Sequence, residues 1–143
     1  MHLVIDIGNT SAKIAVFSQG EMRYVVRCSN QSLEGLDELC QQYPIQKGIW
    51  ASVISISEEI QQQLQQLPFP MTEFTYQTPI PIRNLYQTPQ TLGVDRLAAV
   101  IAAYTQKPHH PALVIDAGTC ITYDFIDELG QYQSGNISPG MEM

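Results

Sequence analysis

The sequence predicts an α/β protein: a mixed five-stranded sheet flanked by helices, followed by the first strands of a second, similar domain. Three observations point there. Short apolar runs bounded by Gly, Asn, Ser and Gln alternate with apolar stripes at helical spacing. Their order is strand, strand, strand, helix, strand, helix, strand, helix, and then three more strands. An Asp-x-Gly turn also recurs about 110 residues apart, at Asp6-Ile7-Gly8-Asn9-Thr10 and Asp116-Ala117-Gly118-Thr119-Cys120, each time between two apolar strands.

Taken in order, the apolar runs at residues 3–5, 13–17 and 23–26 predict a three-stranded antiparallel meander. Leu33, Leu36, Cys40 and Tyr43, spaced three, four and three apart, lie on one stripe of a helix that ends before Pro44. Residues 48–54 read as a buried strand. Ser55 and Glu58 match a capping box, Glu58 and Glu59 place two acids in the first turn, and Ile60, Leu64 and Leu67 form the stripe of a second helix that stops before Pro68. Its glutamines, Gln61, Gln62, Gln63, Gln65 and Gln66, read as a solvated helix face rather than an aggregation tract.

A short strand is expected at residues 72–76. Pro79, Pro81 and Pro89 then deny ladder hydrogen bonds and impose an extended connection of a length that is often functional. Val94, Leu97, Ala98, Ile101 and Tyr104 mark a third helix. Its exit, Lys107-Pro108-His109-His110-Pro111, is the clearest domain boundary, giving a first domain over residues 1–108 and the start of a second over 109–143. Beyond it, residues 112–115 predict a buried strand, 121–126 another and 131–133 a third. About 35 residues are too few to bury a core alone, so the chain is expected to be an incomplete version of a larger enzyme.

Composition bounds the function. With 143 residues, 44% hydrophobic and 15% charged, the chain is globular. Its 14 acidic against 7 basic side chains give a net charge of -7 and no electrostatic footprint for nucleic acid. Any anionic ligand must therefore be held by local geometry. No apolar run approaches the roughly 20 residues that span a bilayer, and the N-terminus lacks a cationic leader, so a soluble cytoplasmic protein with no membrane partner is expected. The 3 cysteines, Cys28, Cys40 and Cys120, indicate neither a disulfide framework nor a zinc knuckle, and the 3 histidines suggest no metal cage.

Chemistry concentrates at three places. In Asp6-Ile7-Gly8-Asn9-Thr10-Ser11-Ala12-Lys13, a tight glycine turn brings the backbone close to a ligand and exposes N–H groups that form an anion nest. Asn9, Thr10 and Ser11 add donors and Lys13 a point charge, which suits a terminal phosphate. Asp6 suits a hydrated magnesium ion, because carboxylate and phosphate repel without a cation between them. An ordinary Asp–Gly hairpin with an Asx turn would look the same in sequence, although the second copy at Asp116 to Thr119 weighs against it. At Gly93-Val94-Asp95-Arg96, the helix start favours an anion, Arg96 can fork onto a carboxylate, and Asp95 can take a proton from an alcohol. Read blandly, Asp95 complements the helix dipole and Arg96 pairs with a surface acid.

These motifs, with Ser134-Gly135-Asn136-Ile137-Ser138-Pro139-Gly140 and in this order, resemble the motif series of type III pantothenate kinases over the whole chain. The resemblance implies duplicated ribonuclease H-like domains of the actin-like ATPase superfamily, with ATP in the cleft between the halves. It implies that Asp6 to Lys13 (Asp6, Ile7, Gly8, Asn9, Thr10, Ser11, Ala12, Lys13) form a phosphate loop and that Thr119 contacts ATP. Asp95 would activate the pantothenate hydroxyl for attack on the γ-phosphate. Gly93, Val94 and Arg96 would line the pantothenate pocket, with Tyr86 covering it, and Asp116 would bind a monovalent cation, potassium or ammonium. The full-length form would be a homodimer with a threonine reaching the substrate across the interface.

Two features depart from that family. Ser134 stands where a glycine usually opens the last motif, which would stiffen a turn there, and family members continue for about a hundred residues past Met143, so the chain by itself is expected to be inactive. A non-catalytic nucleotide-binding or transcriptional accessory protein, or a kinase for a sugar or acetate, are the competing readings. His109-His110 reads as an exposed loop, Trp50 as core, Cys120 as a small buried filler, and Asp124 and Asp127 as surface charge.

Overall fold

The structure, a computed structural model, describes residues 1–140. The chain divides into two compact units, Met1–Thr75 and Tyr76–Met143.

In the first unit, β1 (His2–Ile7), β2 (Ala12–Ser18) and β3 (Glu21–Cys28) form the expected antiparallel meander. They are followed by α1 (Leu36–Gln42), β4 (Lys47–Ser52), α2 (Glu58–Gln65) and β5 (Met71–Glu73). β4 runs parallel to β1 and β5 parallel to β4, with α2 as the crossover between the last two. The resulting sheet, β3-β2-β1-β4-β5, is mixed and five-stranded as expected.

Strand parity builds its core. Leu3, Ile5 and Ile7 on β1 share a face with Val16, Ile14 and Ala12, their register partners on β2. All are buried, together with Leu36 and Leu39 of α1 and Ile60 and Leu64 of α2. Each large aliphatic side chain so covered contributes about 1.5–3 kcal/mol relative to exposure.

Three expectations shift here. Leu33 belongs to the core but not to α1. It has φ 42° and Gly35 has φ 83°, so a left-handed turn leads into the helix and Leu33 packs from that turn. The cap of α2 is Ser57 rather than Ser55: its Oγ accepts from the Ile60 N–H at 3.2 Å, while Ile54 and Ile56 pack against the core ahead of the helix. β4 is partly rather than fully buried.

The second unit contains β6 (Arg83–Asn84), a 3-10 turn at Pro89–Thr91, α3 (Val94–Gln106), β7 (Ala112–Ala117), β8 (Cys120–Ile126) and β9 (Gln131–Pro139). The sheet order is β6-β9-β8-β7. β7, β8 and β9 form an antiparallel meander, so the topology of β1 to β3 recurs, and Asp6 and Asp116 are each the fifth residue of a six-residue first strand. β6 was not expected inside the proline-rich stretch. Its neighbours still find a ladder: the Arg83 N–H donates to the Gly130 carbonyl at 2.8 Å and the Leu85 N–H to that of Tyr132 at 2.9 Å.

α3 packs on β7 and β8 and buries Arg96, Leu97 and Val100, and Ile82, Leu92, Ile126 and Tyr132 of the same unit are buried too. Arg96 thus takes the core position that the apolar stripe assigned to Ala98, which is exposed. The expected burial of residues 112–115 is not found: Leu113 is 62% and Ile115 56% exposed, because α3 covers only the opposite face. β9 is nine residues long rather than three, and the Ser134 to Gly140 motif lies on it and just past its end instead of in a turn. Among the described residues no helix is long and apolar enough to cross a membrane.

Candidate functional site

Residues 8–11 join β1 to β2. The Gly8 N–H donates to the Ser11 carbonyl at 3.0 Å, and a Cβ on Gly8 would stand 3.2 Å from that oxygen, so glycine keeps the turn tight. Asn30 Nδ2 donates to the carbonyls of Gly8 and Asn9, both at 2.9 Å, and Arg27 Nε donates to Ser11 Oγ at 2.6 Å. The expected nest therefore loses one member, the Gly8 N–H, which closes the turn itself. The N–H groups of the exposed residues Asn9 and Thr10 make no hydrogen bond among the described residues and remain available to an anion.

Lys13 lies opposite Asp6 in the β1–β2 register, with Nζ 3.5 Å from Oδ2 and the two side chains 61% and 44% exposed. A pair this exposed is worth about 0–1 kcal/mol, so Lys13 can turn to a phosphate with little loss. Arg27 faces Lys13 in the β2–β3 register, giving the turn a second cation. Asp6 keeps one carboxylate oxygen outside that ion pair, which suits a water of a hydrated cation.

In the second unit, Gly118 and Thr119 join β7 to β8. The Gly118 N–H donates to the Cys120 carbonyl at 2.9 Å, and the Gly140 N–H to that of Thr119 at 3.1 Å. A Cβ on Gly140 would collide with the Thr119 carbonyl, so only glycine lets the chain past β9 lie against this turn. Asp116 and Thr119 are exposed. No three His, Cys, Asp or Glu side chains gather at one place among the described residues, so Asp6 and Asp116 would each be a single protein carboxylate on a cation.

At the start of α3, Gly93 is the N-cap, and Asp95 Oδ1 accepts from the Arg96 N–H at 2.8 Å. That bond satisfies one open helix donor and sets the Asp95 rotamer. Among the described residues it leaves Oδ2 without a hydrogen bond on an exposed side chain. Arg96 turns inward. It is 7% exposed and grips Asp124, 1% exposed, with two parallel bonds: Nε to Oδ2 at 3.1 Å and Nη2 to Oδ1 at 2.6 Å.

The Tyr132 hydroxyl donates to the same Oδ1 at 2.6 Å. The Tyr86 ring stacks on Tyr132, centroids 5.9 Å apart and planes 6° apart, and the Arg96 guanidinium carbon lies 6.0 Å from the Tyr86 centroid. Gly135 faces Asp124 across β8 and β9, where a Cβ would strike both the carboxylate and the guanidinium. The hydrogen bond to Asp124 holds the Arg96 guanidinium above its ordinary pKa against the pull of burial. Burial, reinforced by the bond to Asp124, pushes the Tyr132 phenol up.

Within the second unit, then, Tyr86 lies beside Arg96 in the first turn of α3. The fork of Arg96 is already on a carboxylate, that of Asp124. Asp124 is not surface charge but the centre of a buried network, and parity offered the signal: it lies two residues from the buried Ile126 on β8. Arg27 and Asn30, which fix the first turn, had no local signal. His109 and His110 are exposed as expected, Trp50 is partly buried against the first core, and Cys120 is exposed rather than a buried filler. Asp127 organises the β8–β9 turn, accepting from the N–H groups of Leu129 at 3.0 Å and Gln131 at 2.8 Å and from Gln133 Nε2 at 3.0 Å.

Comparison with known proteins agrees with the sequence pattern. A model of the family described as type III pantothenate kinase matches residues 2–143. The chain is 59% identical to the type III pantothenate kinase of Phocaeicola vulgatus over 143 residues and 54% identical to that of Bacteroides fragilis, covering 100% of this chain and 59% of each relative. A Porphyromonas gingivalis relative of the same description is 34% identical over 142 residues, 99% of this chain and 58% of the relative. The chain thus spans about three-fifths of the length of the curated relatives it matches. Among solved structures, the Aquifex aeolicus PPX-GPPA enzyme overlays with a TM-score of 0.45 at 15% identity, covering 97% of this chain and 52% of that one. YeaZ from Pseudomonas aeruginosa overlays with a TM-score of 0.39 at 10% identity, covering 96% and 68%.

Proposed function

The chain belongs to the type III pantothenate kinase family, and from that premise we propose that it carries the acceptor-activating part of an ATP-dependent pantothenate kinase, the first step toward coenzyme A. The observation that supports this best is the exposed Asp95 carboxylate, held by its bond to the Arg96 N–H on a helix turn that a buried ion pair anchors. In this reading Asp95 Oδ2 accepts the proton of the pantothenate hydroxyl as its oxygen forms a bond to the γ-phosphorus; the bond from that phosphorus to the β-phosphate oxygen breaks and ADP leaves.

Pantothenate would lie against Gly93, Val94 and Tyr86. Arg96 would offer it the N–H groups of Nη1 and the second one of Nη2, since its Nε–H and the other Nη2–H hold Asp124. The turn at residues 8–11 would receive the phosphates on the N–H groups of Asn9 and Thr10, with Ser11, Lys13 and Arg27 beside them, and Ile7 and Ala12 closing the strands on either side. Thr119 would contact ATP, Asp116 a potassium or ammonium ion, and Asp6 a magnesium ion through water. Those cations, when bound, would offset phosphate charge in an acidic protein. Residues 1–108 and 109–143 are taken as two ribonuclease H-like halves by descent, within a cytoplasmic homodimer that acts on small molecules and not on nucleic acid or membranes.

The test is Asp95→Asn in a chain completed to the length of its relatives. Pantothenate-dependent ADP release is expected to vanish while nucleotide affinity stays nearly unchanged. Loss of both together would make Asp95 structural. Nucleotide binding by the parent with no pantothenate-dependent ADP release would favour a non-catalytic role, and turnover of a sugar or acetate instead would favour another kinase.

A further inference from the structure

We propose that Asp124 is a positioning residue for the transfer and that Tyr132 and Gly135 serve it. This rests on the reading of Asp95 as the proton acceptor. Asp95 and Arg96 are adjacent in the first turn of α3, and the Arg96 N–H bonds the Asp95 carboxylate directly. Holding the Arg96 side chain fixes the backbone turn from which the Arg96 N–H bonds the Asp95 carboxylate. Arg96 is clamped to β8 by two bonds to Asp124, and Asp124 is clamped in turn by the Tyr132 hydroxyl.

Gly135 leaves the space that this meeting of carboxylate and guanidinium occupies. The Tyr86 ring lies over both Tyr132 and Arg96, so the same clamp sets the wall assigned to the acceptor substrate. Asp124 touches none of the reacting atoms in this scheme. It acts through Arg96, fixing the angle at which Asp95 meets the hydroxyl and leaving the Nη1–Nη2 end of the guanidinium to the substrate.

The experiment compares Asp124→Asn and Tyr132→Phe with the parent in a chain completed to the length of its relatives. Each is assayed well below its own melting temperature, with KM determined for both substrates. Asp124→Asn is expected to lower kcat by about 20-fold or more and Tyr132→Phe by about 3- to 10-fold, with KM for pantothenate raised and KM for ATP within about twofold of the parent. A loss confined to melting temperature, or one that moves the ATP constants equally, makes the cluster merely structural and overturns the proposal. Should Asp124→Asn fail to fold, Tyr132→Phe decides by the same criteria, since it removes one hydroxyl and keeps the ring stack. An inactive parent overturns this proposal together with the proposed function, whereas an active parent with both variants unaffected overturns this one alone.

Discussion

A buried arginine has to be justified by its partners, and Arg96 finds two acceptor oxygens on a carboxylate as buried as itself. Pairs of this kind add little net stability against an apolar replacement, yet losing one member leaves a charge uncompensated. Asp124→Leu alone should therefore cost about 3–5 kcal/mol in denaturant unfolding, and Arg96→Met combined with Asp124→Leu should recover much of that loss. A double variant as unstable as the single would show that something other than the stranded charge sets the penalty. The pair was only half legible in the sequence. Arg96 stood out beside Asp95, but Asp124 looked like any charged residue between two aromatics. Its partner is 28 residues away across a packed helix and strand, and no local spacing encodes that.

Elements were legible where a local pattern determines them. Strand alternation gave β1, β2 and β3 to within two residues, and helical spacing gave α3. Boundaries set by a backbone turn or a cap were not: the left-handed Leu33 and Gly35 shorten α1, and the capping serine of α2 is the second of two in the right composition. Ser57→Ala should cost about 0.5–2 kcal/mol, while Ser55→Ala should leave stability nearly unchanged.

The β8–β9 turn carries a pH signature. The hydrogen bonds from Gln131, Gln133 and Leu129 outweigh desolvation and hold the Asp127 carboxyl below its ordinary value of 3.8. A depressed carboxyl stabilises the fold above its unfolded pKa, and that contribution disappears as pH falls through the lower folded value. The melting temperature of Asp127→Asn should accordingly lie below that of the parent near neutral pH, with the gap narrowing as the solution is acidified past the ordinary carboxylate range. A gap that stays constant across that window would exclude ionisation as its source.

For the whole molecule, the order of strands and helices apart from the two-residue β6, the repeated meander and the paired Asp-x-Gly turns could be read in advance, because each follows from short-range pattern. Which face of a strand is covered could not. Leu113 and Ile115 looked like a buried strand, and they do alternate as one, but α3 lies on the face that holds Val114, Asp124 and Tyr132. Leu113 pairs across β7 and β8 with Phe125, and Ile115 with Tyr123, so these side chains form one apolar face of which Leu113, Ile115 and Phe125 are substantially exposed.

Contiguous exposed apolar surface of this kind marks an interaction face or an aggregation liability. The 143-residue chain should therefore bind an apolar fluorescent dye in its folded state, and Leu113→Thr with Ile115→Thr should reduce that binding while far-UV circular dichroism stays the same, since threonine has the β-branched shape a strand favours. Equal dye binding by the 143-residue chain with and without the threonines would place the responsible surface elsewhere, with Leu129 and Ile137 the next exposed apolar residues to replace.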